Sequence, residues 1–297
     1  MKVIVTGAGG LVGRATVASF AARGESVTGL TRDDLDISDE TAVRDQIDSA
    51  SPDVVVNCAA WTDVDGCESD QERALRANAL GPERLALACR RLGALLITIS
   101  TDYVFDGTKE GFYTQRDQPN PQSIYAKSKL EGERRPQVAW ARTVVVRSGY
   151  IFGEGGRNFL SKFLDYARTG ATLKAISDCF GTPTYAPHLA ERFYQLAKID
   201  LPGIYHVVNS GAGASFSEFT ESGVKMAGLD PALVESISMD SLARPAARPR
   251  NSRLRCLLSE AIGLEEMPHW RDALREHVDR TAQAALTNHL ICDRPGL

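Results

Sequence analysis

Residues 2–13, KVIVTGAGGLVG, decide the fold of this chain. The apolar run KVIVT has the composition of a buried strand, and a glycine-rich turn follows it directly and opens a helix. The spacing G-x-x-G-x-x-G differs from the G-x-G-x-x-G of many dehydrogenases, but the physical requirements are similar: a tight turn, close approach to a pyrophosphate, and a helix N-terminus facing the anion. The stretch predicts a dinucleotide-binding loop; a purely structural turn is the alternative. The predicted contacts are Gly7, Gly10, Leu11, Val12 and Gly13.

The rest of the first half repeats this alternation of short apolar runs and helical patterns. Such runs, separated by helices, are typical of a parallel sheet covered on both faces. The predicted fold class is α/β, a Rossmann-type doubly wound parallel sheet with a smaller C-terminal substrate-binding domain. The predicted strands are residues 2–6, 26–30, 53–57, 94–100 and 143–148, and a long helix is predicted over about 70 to 92.

The regularity weakens after about residue 150. We expect an NAD(P)-binding domain over residues 1–150 and a mainly substrate-binding domain over residues 151–297, with a segment at about 186–210 returning to the main sheet. Helices are predicted near 157–169, 186–198, 215–227 and 268–286, and a strand-like piece is GIYHVV at 203–208.

The composition is that of an ordinary globular protein. The 297 residues are 43% hydrophobic and 24% charged with a net charge of −4, which points to neither nucleic acid nor an anionic membrane as partner. Only three apolar residues follow Lys2 before the first turn, too few for a signal peptide, and no run approaches the ~18 apolar residues of a membrane span. The six cysteines contain no C-x-x-C and the five histidines do not cluster. We therefore expect a cytoplasmic protein without disulfides or a metal.

The second strand is followed by residues that bear on cofactor choice. An acid usually grips the adenosine ribose at this place when NAD is preferred. Here Thr31 and Arg32 occupy it, and a guanidinium suits a 2′-phosphate. The prediction is NADPH, bound by Thr31 and Arg32. In the alternative, Arg32 is solvated, Asp33 reaches the ribose and NADH is used.

The stretch LLITISTDYVFDG, residues 95–107, reads as a strand that ends at Thr101 and continues into a loop. Ligands of a doubly wound sheet bind at the carboxyl ends of its strands. We therefore expect Thr101, Asp102 and Tyr103 to lie near the nicotinamide.

Tyr125 begins the next predicted helix, and Lys129 follows one turn later on the same face. Lys129 and the positive ring of the oxidised cofactor would lower the pKa of the Tyr125 phenol. The phenol could then give a proton to a carbonyl oxygen as hydride reaches the carbon, while Thr101 holds that oxygen. Tyr194 and Lys198 have the same spacing, but no strand ending in a hydroxyl precedes them, so they are interpreted as an ordinary helix face.

Several motifs together resemble a known family. T-G-x-x-G-x-x-G, NCAA at 57–60 and Y-x-x-x-K at 125–129 resemble the extended short-chain dehydrogenase/reductases. More narrowly, STDYVFDG, YAKSKLEGE, VVRSGYIFG, DCFGTPT and RPRNSRL resemble the dTDP-4-dehydrorhamnose reductase family, and the likeness runs from about residue 3 to 280. The resemblance implies NAD(P)H-dependent reduction of the C4 ketone of a dTDP-4-keto-6-deoxy sugar.

The resemblance also implies residue roles. Thr101, Tyr125 and Lys129 would be catalytic. Further cofactor contacts would be Ala59, Ala60 and Asn78. Contacts to the nucleotide sugar would be Asp102, Tyr103, Tyr150 (after Arg147, where family members often carry Trp), Asn158, Phe180 and Thr182.

The sequence also departs from the family's usual pattern. The unusual residues are Asp63, Gly66, Cys67 and Ala126. These leave the reaction type intact and leave open a related deoxysugar reductase of secondary metabolism.

The segment RPAARPRNSRLR, residues 244–255, carries five arginines. Five guanidiniums in an acidic protein predict an anion site for a nucleoside diphosphate, with Arg250 and Arg253 as its ligands. A solvated basic loop with surface ion pairs is the alternative. Nucleic-acid binding is not expected, because no basic face or interleaved aromatic residues accompany the segment.

Two other functions bear on the interpretation. Dehydratases of the same superfamily use a carboxylate pair just after the catalytic threonine, and here Asp102 is followed by Tyr103, so the second acid is missing. A non-catalytic NADP-binding subunit, of the kind that regulates methionine adenosyltransferase, remains an alternative. A homodimer is the expected assembly.

Overall fold

A computed structural model of the chain describes residues 1–292, with side chains as far as residue 283, so residues 293–297 of the predicted second domain lie outside the described residues. The strands are β1 (Lys2–Thr6), β2 (Ser26–Leu30), β3 (Val54–Asn57), β4 (Leu95–Thr101), β5 (Thr143–Ser148), β6 (Ile151–Phe152), β7 (Leu173–Ile176), β8 (Phe180–Gly181), β9 (Thr184–Tyr185), β10 (Gly203–His206), β11 (Ala214–Ser215) and β12 (Val234–Ile237). The α-helices are α1 (Leu11–Ala21), α2 (Glu40–Ala50), α3 (Val64–Ser69), α4 (Gln71–Leu75), α5 (Gly81–Leu92), α6 (Ile124–Ala139), α7 (Phe159–Arg168), α8 (Ala186–Ile199), α9 (Phe216–Met226), α10 (Leu258–Ala261) and α11 (Trp270–Cys292).

Six parallel strands form the central sheet in the order β10-β5-β4-β3-β1-β2. Helices between successive strands cover both faces, which confirms the predicted α/β doubly wound fold class. The chain runs from β1 outward to β2 and then crosses back to β3 on the other side of β1. The carboxyl ends of β1 and β3 therefore flank a switch point, where ligands of such sheets bind.

The two faces of the sheet are buried under different helices. On one face, Val5, Val56 and their neighbours pack against α1 and α8. On the other, Ile4, Val55 and their neighbours pack against α2 and α5. This alternation along each strand follows the two-residue repeat of β structure and explains why strands with near-continuous apolar sequence are buried on both sides.

A second core lies beside the sheet and is built from α7, α9, α11 and short two-stranded sheets. Phe152, Phe163, Phe219 and Trp270 are fully buried in it. The three helices lie where the sequence predicts helices, although α11 begins at Trp270 and runs to Cys292, beyond the predicted end at 286.

The long helix predicted over about 70 to 92 is present as a continuous helical stretch from Gln71 to Leu92, but it is not a regular α-helix throughout. The chain forms α4, then a π-helical segment over Arg76–Leu80, then α5. Pro82 stands in the first turn of α5 and has no N–H to donate to the carbonyl of Asn78, so a regular helix cannot run through this point. That carbonyl instead faces Gly132 of α6, where no side chain would fit.

No helix among the described residues is long and apolar enough to span a membrane. Within residues 1–292 no group of three or more His, Cys, Asp or Glu side chains gathers as metal ligands would. The side chains of His289 and Cys292, which the sequence counts include, are not described.

Candidate active site

The glycine-rich turn after β1 packs directly against the end of β3. Gly7 has a φ of +66°, and a Cβ there would lie 2.6 Å from the main-chain nitrogen of Ala59. A Cβ at Gly13 would collide with the carbonyl of Gly7. Gly10 is the N-cap of α1 and brings no side chain, so no cap occupies the first-turn N–H groups. The turn therefore has the shape and the open helix N-terminus that a pyrophosphate needs.

A first cavity of about 630 Å³ lies over this turn, at the ends of β1, β2 and β3. Six of the residues predicted for the cofactor line it: Gly7, Gly10, Thr31, Arg32, Ala59 and Ala60. Val12 lines a neighbouring cavity, whereas Leu11 and Gly13 line neither. A dinucleotide fits this cavity because the floor of the cavity is formed by glycines, whose missing side chains leave room for it.

At the adenosine end of the first cavity, Asp34 is hydrogen-bonded within its own loop and Arg32 is exposed. Asp34 accepts hydrogen bonds from the main-chain nitrogen (2.9 Å) and the hydroxyl (2.7 Å) of Thr31. These bonds lower the pKa of Asp34. Asp33 does not line the cavity, whereas Arg32 does, with Asp36 3.7 Å from its guanidinium. The arrangement suits a 2′-phosphate better than two ribose hydroxyls.

Asn78 does not line the cofactor cavity. It is fully buried, accepts a hydrogen bond from the main-chain nitrogen of Trp61 (2.8 Å), and donates to the carbonyl of Trp61 and the hydroxyl of Ser128. Its side chain therefore ties the loop after β3 to α6, and its contact with the cofactor stays a prediction.

A second cavity of about 350 Å³ adjoins the first, and both are lined by Cys58 and Ala60. All three predicted catalytic residues line it, as do four of the predicted sugar contacts: Thr101, Tyr125, Lys129, Asp102, Tyr103, Tyr150 and Asn158. The cofactor cleft thus leads directly into the space that holds the predicted proton donor.

The helix α6 fixes the geometry of the donor. Ser123 caps it by accepting a hydrogen bond from the nitrogen of Ala126 (3.2 Å), which sets Tyr125 in the first turn. Lys129, one turn later, donates to the carbonyl of Ile99 at 2.7 Å. The ring of Tyr103 meets that of Tyr125 edge-on, with centroids 6.3 Å apart.

Burial dominates the protonation of this cluster. It raises the pKa of Tyr125, and the neighbouring Thr101 hydroxyl opposes the rise. The prediction that Lys129 lowers the pKa of this phenol is not met in the protein alone, because desolvation outweighs any attraction and the ammonium bonds to Ile99. Burial also lowers the pKa of Lys129 to about 8, against the attraction of Glu133. At neutral pH the pair is a protonated phenol beside an ammonium, which is the state a proton donor needs.

Asp102 is a buried carboxylate that faces the second cavity. Burial raises its pKa to about 6. One oxygen accepts a hydrogen bond from the Thr101 hydroxyl (3.1 Å), and the other has no partner. Gly149 lies against this carboxylate, and any Cβ there would collide with it. The oxygen without a partner is itself buried, and the Ser252 hydroxyl is among the groups that oppose the rise in the pKa of this carboxyl.

Tyr150 is held in a left-handed conformation, with a φ of +46°. Its ring lies against Gly181, where no side chain would fit, and tilts onto Phe216 with centroids 4.5 Å apart. Asn158 caps α7 and donates to the carbonyl of Ile151 (2.8 Å). The sugar side of the cavity therefore has a fixed aromatic wall.

A family model described as RmlD substrate binding domain matches residues 1–283. This chain belongs to that family. It is 40% identical over 279 residues to the dTDP-4-dehydrorhamnose reductase of Streptomyces griseus, which covers 92% of this chain and 91% of that protein. A crystal structure of a dTDP-4-dehydrorhamnose reductase from Clostridium acetobutylicum has a TM-score of 0.91 and 34% identity, covering 95% of this chain and 100% of that one. The structure of the Bacillus anthracis dTDP-4-dehydrorhamnose reductase in complex with NADP has a TM-score of 0.90 and 29% identity. The match covers 94% of this chain and 100% of that one.

Four residues that the family resemblance or the arginine pattern assigned to the sugar nucleotide line neither cavity: Phe180, Thr182, Arg250 and Arg253. Thr182 is buried, and its hydroxyl accepts a hydrogen bond from the nitrogen of Leu254 (3.0 Å). Arg250 pairs with Asp178 (3.0 Å) and Asp240 (2.6 Å). This pairing matches the alternative of surface ion pairs.

Arg253 is held by the side-chain oxygen of Asn251 (2.8 Å) and lies 5.6 Å from the ring centres of Phe112 and Phe180. Phe180 is itself 39% exposed. As contacts of a bound sugar nucleotide, these residues stay a prediction.

The second pair with helical spacing lies far from this RmlD-type site. Tyr194 meets Phe20 edge-on at 5.4 Å between centroids, and the guanidinium of Arg23 lies 4.7 Å from its ring centre. Tyr194 is therefore part of the packing between α8 and α1, and Lys198 is exposed, as expected for an ordinary helix face.

Two of the wall residues that were not predicted from the sequence stand at the ends of central strands. Cys58 lines both cavities, and burial raises the pKa of its thiol to about 12. Ser148 ends β5 opposite Thr101 in register, lines the second cavity and has a buried hydroxyl without a partner. The signal for both was present, because each stands at the carboxyl end of a central strand.

Proposed function

We propose that this chain reduces the C4 ketone of dTDP-4-dehydro-L-rhamnose to the alcohol of dTDP-L-rhamnose, with NADPH as the reductant. The observation that carries the proposal is the continuity of the two cavities, which brings Tyr125 and Lys129 to the end of a dinucleotide cleft. The name of the Streptomyces griseus relative and the NADP bound by the Bacillus anthracis protein support it.

The bound cofactor would supply the hydride; the protein supplies the rest. The Tyr125 phenol, kept protonated by burial, donates its proton to the ketone oxygen. The Thr101 hydroxyl orients that oxygen, and Lys129 stabilises the phenolate that forms. Asp102 and Tyr103 line the cavity beside these residues, and Tyr150 forms its aromatic wall.

The division of labour along the chain follows from this site. We propose that residues 1–150, with α8 and β10, hold the cofactor, and that the remainder of residues 151–297 holds the sugar nucleotide. Packing of α8 on the sheet and pairing of β10 with β5 support the first part. A homodimer and a cytoplasmic location stay predictions; light scattering of the purified protein checks the former.

The test is a panel of dTDP-4-keto-6-deoxy sugars incubated with NADPH, with each product identified by NMR. Oxidation of NADPH that is fastest with dTDP-4-dehydro-L-rhamnose supports the proposal. Faster turnover of another sugar would assign the chain to a different deoxysugar. No turnover with any sugar, together with tight NADPH binding, would favour the regulatory-subunit alternative.

A further inference from the structure

Glu133 is a buried carboxylate behind the catalytic cluster, with 1% of its surface exposed. The Ser100 hydroxyl donates to it at 2.5 Å, and the guanidinium of Arg147 donates twice, at 2.9 and 2.6 Å. Arg147 is 4% exposed, and among the side chains that the structure describes it has no other carboxylate within ion-pair distance. The ring of His206 lies 3.5 Å from its guanidinium. Such a closed network fixes the position of the carboxylate.

The residues of this network are neighbours of the catalytic residues along both α6 and β4. Tyr125, Lys129 and Glu133 follow one another by single turns along α6. On β4, the carbonyl of Ile99 accepts from Lys129, and the hydroxyl of the next residue, Ser100, donates to Glu133. Thr101, directly after them, lines the cavity with Tyr125. A single stretch of strand therefore holds the lysine and the carboxylate at the same time.

Glu133 lies one turn beyond Lys129 on α6 and supplies negative charge to its ammonium. Attraction by Glu133 is the largest influence that opposes the burial of Lys129, and Cys58 contributes less. The other charged or titratable groups around the cluster are Tyr125, Asp102, Arg147 and, beyond Arg147, His206. Without the carboxylate, burial and the positive charge of Arg147 would both disfavour the ammonium.

We propose that Glu133 is a positioning residue for the reduction, whose carboxylate, fixed by Ser100 and Arg147, keeps Lys129 in its ammonium form beside Tyr125. The proposal rests on the proposed function for its kinetic consequence. Lys129 must carry its proton to stabilise the phenolate, so the rate falls as pH rises through the pKa of Lys129. In the wild-type enzyme this decline is centred near pH 8.

The test measures kcat/KM for dTDP-4-dehydro-L-rhamnose against pH in two variants. Glu133→Gln removes the negative charge and shifts the alkaline decline to lower pH, by about one unit or more. Arg147→Met removes the two hydrogen bonds that hold the carboxylate in place, so it also shifts the decline to lower pH, by a smaller amount. Glu133→Asp keeps the charge and stays close to the wild type. A merely structural role would instead lower kcat in both main variants without shifting either midpoint, and this outcome would overturn the proposal.

The pKa of Lys129 can also be measured without any sugar, by labelling the lysines with ¹³C at Cε and following their titration by NMR. The Lys129 signal is assigned by its loss in Lys129→Arg. Lower midpoints in Glu133→Gln and Arg147→Met support the proposal even if the sugar is not the substrate; midpoints that coincide with that of the wild type overturn it. NADPH binding, followed by fluorescence, identifies any variant that fails to fold, and the sign of the shift in the other variant then decides.

Discussion

The side chain of Lys129 donates a 2.7 Å hydrogen bond to the main-chain carbonyl of Ile99, two residues before Thr101. This bond ties the start of α6 to the end of β4. The relative positions of the Tyr125 phenol, the Lys129 ammonium and the Thr101 hydroxyl are therefore set by packing of a helix on a strand. Preorganisation of this kind is what a proton-transfer site requires.

Tyr125→Phe removes the proposed proton donor and leaves the ring in place. We expect kcat with dTDP-4-dehydro-L-rhamnose to fall roughly 100-fold to 10,000-fold, because the developing alkoxide receives no proton. NADPH binding, measured by fluorescence titration, should stay near the wild-type value. The matched control is Tyr194→Phe, in the α8–α1 packing, which should keep full turnover. Loss of activity in the control but not in Tyr125→Phe would contradict the site assignment.

Gly7→Ala tests the cofactor turn. A Cβ at this position meets the main chain of Ala59 at 2.6 Å, and the φ of +66° strains any other residue. We expect a loss of about 1–3 kcal/mol in the free energy of unfolding and weakened NADPH binding. Gly24→Ala is the control, since its φ of +74° imposes the same strain, nothing lies within 4 Å of its Cβ, and it lines neither cavity. Equal NADPH affinity in the two variants would show that the turn does not cradle the cofactor.

Arg32→Ala tests the choice of cofactor. The guanidinium lines the cofactor cavity while Asp34 is occupied by Thr31, so Arg32 is the group available to a 2′-phosphate. We expect the ratio of kcat/KM for NADPH to that for NADH to fall roughly tenfold to 100-fold, the value of a charged hydrogen bond. Arg44→Ala, at an exposed ion pair with Asp45, should leave the ratio unchanged. If Arg32→Ala leaves this ratio unchanged, the alternative in which Asp33 binds the ribose would be favoured.

His206 makes folding sensitive to acid. It is 2% exposed, and burial, together with the charge of Arg147, lowers its pKa from 6.5 to about 3. Between pH 6.5 and about 3, His206 is protonated in the unfolded chain and neutral in the folded chain. The free energy of unfolding therefore falls as the pH drops through this window. The loss approaches a few kcal/mol, at about 1.4 kcal/mol per unit of pKa.

The measurement for His206 is urea unfolding at several pH values for the wild type and His206→Gln. Gln can still donate to the carbonyls of Tyr113 and Arg255, which lie 3.2 and 3.1 Å from the histidine nitrogen. The variant should lose less stability on acidification because it has no group that titrates in this window. Parallel acid dependence in the two proteins would show that other groups are responsible.

Much of the sheet could be predicted because its strands are short apolar runs buried on both faces. Val54–Asn57, for example, is buried at every position. The π-helical segment between α4 and α5 was not predicted, since the sequence pattern around residue 78 is that of a regular helix. Its cause is the absent N–H of Pro82 combined with the close approach of Gly132, and the latter is a tertiary contact.

Within the site, the predicted residues at strand ends line the cavities, whereas those tied by long-range pairing do not. Thr101 and Tyr125 follow from their neighbours in sequence. The main-chain bonds of Phe180 with Arg250 and Ser252 join segments about 70 residues apart, and the local sequence pattern does not indicate them. Burial likewise reversed the expected pKa of Tyr125, because desolvation depends on packing from elements distant in sequence.

The most direct test of the proposed reduction is a single-turnover reaction with NADPH deuterated at the transferable position of nicotinamide C4 and dTDP-4-dehydro-L-rhamnose, with the product read by NMR. We predict dTDP-L-rhamnose with deuterium at sugar C4 in the wild type and almost none formed by Tyr125→Phe in the same time. A product without deuterium at C4, or unchanged sugar beside tightly bound NADPH, would contradict the assignment of this chain as the reductase.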